Sequence, residues 1–144
     1  MRSLGQVHGY YDSSDWKTAV FVDMIVESHS DVFNAAMKAA LFTPGDQKVQ
    51  AMHSVRDGIC KKFFAMCEKH LEMHNSPKFI AGNSITIADF CLASFIFNHV
   101  KNDLSPLHDI LMPLLHDLPH FSAYIERLAE EQHDHLEKRP KNMF

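Results

Sequence analysis

Asp89 is the acid most suggestive of chemistry, because it stands in "SITIADF" at the head of the apolar run Cys91 to Phe97. Catalytic acid, metal ligand and helix cap are the three chemistries such a carboxylate can serve. No histidine or second acid lies at a helical interval beside it, and its spacing from Thr86 fits a cap. With Thr86 as N-cap and Asp89 three residues later, the two reciprocate in a capping box, Asp replacing the commoner Glu or Gln. Ile85 and Phe90 then take the two positions of a hydrophobic staple. A negative charge in the first turn also suits the helix dipole. On this reading either Thr86→Ala or Asp89→Ala costs about 1–2 kcal/mol and no chemistry.

Other reactive side chains are less organised. Cys60, Cys67 and Cys91 include no Cys-x-x-Cys pair, which suits a reducing compartment. Cys60 and Cys67 share a helical face but stand about 10.5 Å apart along the axis, beyond disulfide reach. Among 11 histidines, His133 and His135 are close in sequence but have no third ligand at a helical interval, so no metal site is expected. Asp23, Glu27 and Asp31 follow at four-residue steps, where like charges repel by a few tenths of a kcal/mol per pair, roughly. Two readings of this stripe stay open: a solvated face with counter-charges from elsewhere, or an acidic face over a cationic amine or a partner's basic residues.

The elements that position these groups are helical. Alternating Val/Ile/Thr runs and Asn-Gly turns are absent, while three- and four-residue apolar spacing dominates. A short helix ends near Gly9, and a long one runs from about Trp16 to Leu41, with Phe21, Met24, Ile25, Val32, Ala35, Ala36 and Ala39 as its seam. "TPGDQ" stops it. A second long helix spans about Gln47 to Met73, with Met52, Ile59, Phe63, Met66 and Met73 facing inward. From Ile87 to Phe97 every residue is apolar except Asp89 and Ser94, the pattern of a helix at the centre of a bundle. Shorter helices are expected over Leu107 to Leu115 and Phe121 to about Gln132, then an ordered or semi-ordered tail. The fold class is all-α, two long antiparallel helices and several shorter ones around a buried central helix.

The 144 residues suit a single core, with 46% hydrophobic and 22% charged residues. A net charge of −4 with scattered positives argues against nucleic-acid binding. No apolar stretch is long enough to insert in a membrane, and the first residues lack a secretory core, so a cytoplasmic location is expected.

"FIAGNSITIADF", with the apolar helix after it, resembles the capping-box segment of the cytosolic glutathione S-transferases, in their all-helical C-terminal domain. "LGQVHGYY" and "DWKTAVFVDMIVES" are similar to the end of that family's third helix, its linker and its fourth helix. "LEKRPKNMF" is similar to the Lys-Arg-Pro tail of sigma-class members, the class that includes prostaglandin-D synthases. The resemblance covers essentially the whole chain. It implies that residues 1–11 are the end of a preceding domain and a linker, and that 12–144 are the helical domain.

In that family a thioredoxin-like domain carries the Tyr or Ser that activates the glutathione thiol, and no residue here matches it. Tyr10 and Tyr11 fall in the linker. The resemblance therefore implies no catalytic residue in this chain, inactivity alone, and glutathione only where a thioredoxin-like domain is supplied. Asp23 matches the fourth-helix Asp that reaches the γ-glutamyl amine of glutathione in the neighbouring subunit. Val26, Phe33 and the tail around Met143 and Phe144 fall near where the family holds the apolar half of its substrates. A homodimer, or association with another protein chain, is expected; the alternative role is a non-catalytic structural or interaction subunit of a larger assembly.

Overall fold

The computed structural model describes residues 1–140 and 142. Residues Met143 and Phe144 lie outside the described set. The helices are α1 (Arg2–Val7), α2 (Trp16–Met37), α3 (Gly45–Val55), α4 (Lys61–Met73), α5 (Ile87–Phe95), α6 (His108–Leu111), α7 (Pro119–Glu131) and α8 (His133–Lys138). A π-helical turn, Lys38–Phe42, prolongs α2, another over Arg56–Cys60 joins α3 to α4, and a third, Ile96–Val100, prolongs α5. The two long helices are therefore continuous through their irregular turns. No β-strand occurs among the described residues, only an isolated bridge between Phe79 and Gly82.

Local chemistry sets the ends. The Asp15 side chain accepts the Thr18 N–H and hydroxyl at the start of α2, satisfying one of the orphan donors there. The second long helix begins at Gly45 rather than Gln47, because Pro44 sits at the cap with φ −58°, where a missing N–H costs nothing. The end of α1 is a Schellman turn: Tyr10 N–H reaches Gly5 C=O, Gly9 N–H reaches Gln6 C=O, and Gly9 has φ 76°.

The seam of α2 differs in detail from its sequence pattern. Val22, Ile25, His29, Val32 and Ala36 are buried, while Met24 is exposed. A histidine in the buried register hid this stripe, which steps regularly by threes and fours once His29 is counted. Met73 is likewise exposed at the end of α4, whose buried face is Phe63, Phe64, Cys67 and Leu71. Between these faces runs α5, with Ile87, Ala88, Cys91, Leu92, Ala93 and Phe95 all buried, and α7 closes the far side with Phe121, Tyr124, Ile125 and Leu128. Burial of such side chains stabilises by about 1.5–3 kcal/mol each.

Asp89 is fully buried where these layers meet. One carboxylate oxygen accepts the Thr86 N–H at 2.8 Å and the Thr86 hydroxyl at 2.9 Å. The other accepts the Ile80 N–H at 2.9 Å and the Tyr124 hydroxyl at 2.8 Å. Four donors from three segments therefore converge on one carboxylate. Ile80 is presented by a tight turn in which Phe79 and Gly82 exchange backbone hydrogen bonds; Gly82 adopts φ 139°, which a side chain would strain. Burial, followed by the nearby Asp89 charge and its hydrogen bond, raises the Tyr124 hydroxyl well above its ordinary pKa, so it stays a donor. Phe90 is partly exposed, its ring edge-on to Tyr10 at 5.0 Å, and Ile85 is half-buried.

The N-terminal segment docks on this same helix start. Tyr10 C=O takes the Ile87 N–H at 3.0 Å, one of the donors an α-helix leaves unpaired. Gly5 is buried against Ile87 and Tyr11; a Cβ there would stand 2.7 Å from Ile87 Cγ2. Further along, Glu68 of α4 accepts the N–H groups of His120 and Phe121, capping α7 from another helix.

Four converging donors raise the expected cost of losing Asp89 above that of a local cap. Asp89→Ala should cost at least about 3 kcal/mol, because buried N–H and O–H groups from Ile80, Thr86 and Tyr124 lose their acceptor. Thr86→Ala should cost about 1–2 kcal/mol. Urea unfolding of the two variants measures the difference, and equal losses would refute the hub.

Candidate functional site

The acidic face of α2 is joined to α1 and the linker. Asp23 accepts from Arg2 Nε at 2.7 Å and from the Tyr11 hydroxyl at 3.0 Å, on different carboxylate oxygens. Arg2 also reaches Glu27 at 3.2 Å. Asp23, through its hydrogen bond and its charge, raises the Arg2 guanidinium above its ordinary value. The Tyr11 hydroxyl is raised by desolvation, then by Asp23. A counter-charge from upstream thus sits on the Asp23–Glu27 pair, while Asp31 lies farther along at a cleft shared with Lys62. Each Asp23 oxygen retains a second lone pair, so the half-buried carboxylate can still receive an ammonium group.

Nearly three turns beyond Asp23 on α2, Phe33 belongs to an aromatic cluster that sequence reasoning missed. His29 lies 6.0 Å from Phe33 and 6.1 Å from Phe95 between ring centroids; His99 lies 5.8 Å from Phe33 and 5.7 Å from Phe95. Both histidines are buried, and His29 Nε2 has no hydrogen-bond partner among the described residues. Burial, and then the neighbouring His99, lowers the His29 pKa; burial lowers that of His99. These rings act as core aromatics that stay neutral near pH 7. Val26, half-buried, packs against the core from the same helix.

Burial also settles the character of the cysteines. It pushes the Cys60 thiol up to about 12 and raises Cys67 and Cys91 as well. All three are free and buried, so a nucleophilic thiolate is suppressed at neutral pH. His133 and His135 lie on α8 in solvent, His133 3.3 Å from Glu137. Among the described residues no three His, Cys, Asp or Glu side chains converge on a metal position, and no helix is long and apolar enough to cross a membrane. The carboxylate with the most hydrogen bonds, Asp89, is sealed in the core and presents nothing to a ligand.

Comparison with known proteins places this geometry. The family described as "Glutathione S-transferase, C-terminal domain" matches residues 30–137. The solved structure of NaGST-2 superposes with a TM-score of 0.76 at 21% identity, over 99% of this chain and 67% of that one. The crystal structure of the glutathione S-transferase Blo t 8 superposes with a TM-score of 0.78 at 14% identity, over 99% of this chain and 66% of that one. The chain thus spans about two thirds of the length of these structures. No curated protein sequence matches it.

The buried histidines make stability depend on pH with a defined sign. Their folded-state values lie below the ordinary 6.5, so the unfolded chain binds more protons. Stability is full above about pH 6.5 and falls as pH drops below it. Denaturant midpoints at pH 7.5 and 5.5 should show this loss, and His29→Leu should make it smaller. An unchanged difference in the variant would refute the role of His29.

Proposed function

The chain belongs to the glutathione S-transferase family, whose C-terminal domain it matches over residues 30–137, and on that footing we propose that it supplies the helical half of a glutathione transferase. In this reading a thioredoxin-like domain, in the same protein or another, holds glutathione and activates its thiol. The helical half contributes shape, the wall around Val26 and Phe33, and the Asp23 carboxylate toward the amine of glutathione bound by the neighbouring subunit. The family match carries the proposal. The proposed location is cytoplasmic.

A second reading has its own observation. Arg2 and Tyr11 already satisfy Asp23 within the chain, so the carboxylate is explained without any ligand. The domain would then be a non-catalytic interaction subunit. Both readings call for a partner. Trp16, Val20 and Met24 are exposed along one face of α2, and Leu4 and Val7 are exposed on α1. Trp16, Val20 and Met24 follow at four-residue steps and so stack on one helix face, and large apolar patches are seldom left bare on a monomer.

Sedimentation at micromolar concentration should give a species heavier than one chain, whether a homodimer or a complex with another protein. A stable 16.5 kDa species would sink the association. Asp23→Asn separates the two readings. In a holoprotein with its thioredoxin-like domain, the variant should weaken glutathione binding if Asp23 holds the amine, and leave it unchanged if Asp23 only anchors Arg2. The 144-residue chain alone should show no conjugation of glutathione to a chlorodinitrobenzene-type electrophile; turnover above background would refute the division of labour.

A further inference from the structure

We propose that His70 and His74 form a two-histidine site for a divalent transition-metal ion of the copper, nickel or zinc type, with water completing its coordination shell. His70 lies in the last turn of α4 and His74 caps that helix, so the two rings share a face one turn apart. Their centroids are 4.4 Å apart, with planes inclined at 39°. With metal–nitrogen bonds of about 2.0–2.1 Å, two imidazoles on one ion, at angles between right and tetrahedral, bring their centroids to roughly 4.5–5.3 Å. The centroid separation thus falls just short of the chelated range before any ion arrives. The pair needs only a small opening, which the exposed His74 can supply by rotation.

Two further contacts orient His70 as a ligand. Its ring lies flat on Phe21, with centroids 3.8 Å apart and planes 16° apart. The Ile80 backbone lies beside the same ring, where it can take up the outer hydrogen bond that commonly holds a metal-bound histidine. The Ile80 N–H is fixed by Asp89, so the bundle core holds this neighbour in place.

The chemistry of the surroundings selects the ion. Both rings line a cleft of about 550 Å³ together with Thr18, Pro77 and Ala81, and no carboxylate is among its lining residues. Imidazole nitrogens without carboxylates favour copper, nickel and zinc over magnesium and calcium. Lys17 lines the same cleft, but its ammonium stands over the Trp16 ring, 5.9 Å from the centroid.

Copper(II) is the strongest binder of the series, so Cu²⁺ alone is the probe, titrated calorimetrically into the full chain and into variants. His70→Ala and His74→Ala should each weaken the tightest binding event about tenfold or more, the scale at which metal sites respond even to outer-shell loss. Each should also remove the two-nitrogen hyperfine pattern from the copper resonance spectrum. A His133→Ala/His135→Ala variant should leave both readouts unchanged, and Mg²⁺ should not compete. Binding unaffected by His74→Ala, or abolished by the His133/His135 variant, would overturn the site. His74 is exposed, so its variant decides the matter even if His70→Ala does not fold.

Discussion

A single buried carboxylate holds the bundle's register. Taking an ionised group out of water costs several kcal/mol unless its lone pairs are satisfied, and at Asp89 that demand is met by donors from three segments. Thr86 supplies two, the Phe79–Gly82 turn supplies the Ile80 N–H, and α7 supplies the Tyr124 hydroxyl. None of these segments can shift without leaving a polar atom unpaired in the core. The next donor at the same helix start, Ile87 N–H, goes to Tyr10, so the linker and α1 join the same assembly. The close seating of Gly5 on Ile87 then fixes where Arg2 stands, and with it the ion pair on Asp23.

That chain of dependence separates what local spacing can reveal from what it cannot. Thr86 and Asp89 are three residues apart, and a reciprocal cap is a local pattern. The remaining donors come from Ile80 and Tyr124, nine and 35 residues away, and only the folded arrangement brings them together. The same holds for Glu68 on the start of α7, reached across 52 residues to His120. Helix extents were legible from apolar periodicity because each long helix has one buried stripe. The exact seam of α2 was not, since His29 reads as polar while packing as an aromatic ring between Phe33 and Phe95.

Histidine accounts for much of what sequence leaves ambiguous here. The same side chain is a neutral core ring at His29 and His99, a solvated group at His133 and His135, and a partner of Ser76 Oγ at His120. Composition counts these alike. Environment divides them, because an imidazole pays little for burial when neutral and changes charge close to neutral pH. The acidic stripe on α2 shows a comparable ambiguity. Its like charges left open a solvated face with counter-charges from elsewhere or an acidic face toward an amine or a partner, and Arg2, 21 residues upstream of Asp23, supplies one such counter-charge within the chain.

The same physics limits which parts of the domain can serve function. Groups that hold the bundle together are sealed: Asp89 is inaccessible, and the three thiols are held protonated by burial. Addressable groups include those on α1, on the outer face of α2 and at the end of α4, where apolar side chains, the Asp23 carboxylate and the His70–His74 pair reach solvent or the half-buried boundary. A domain so divided offers surfaces and hydrogen-bonding groups, while its cysteines are held as thiols. In the proposed transferase, positioning would therefore be the helical half's contribution to rate. Orienting two reactants can supply several kcal/mol of a barrier, and it asks for a rigid wall, which the Asp89 hub is built to hold.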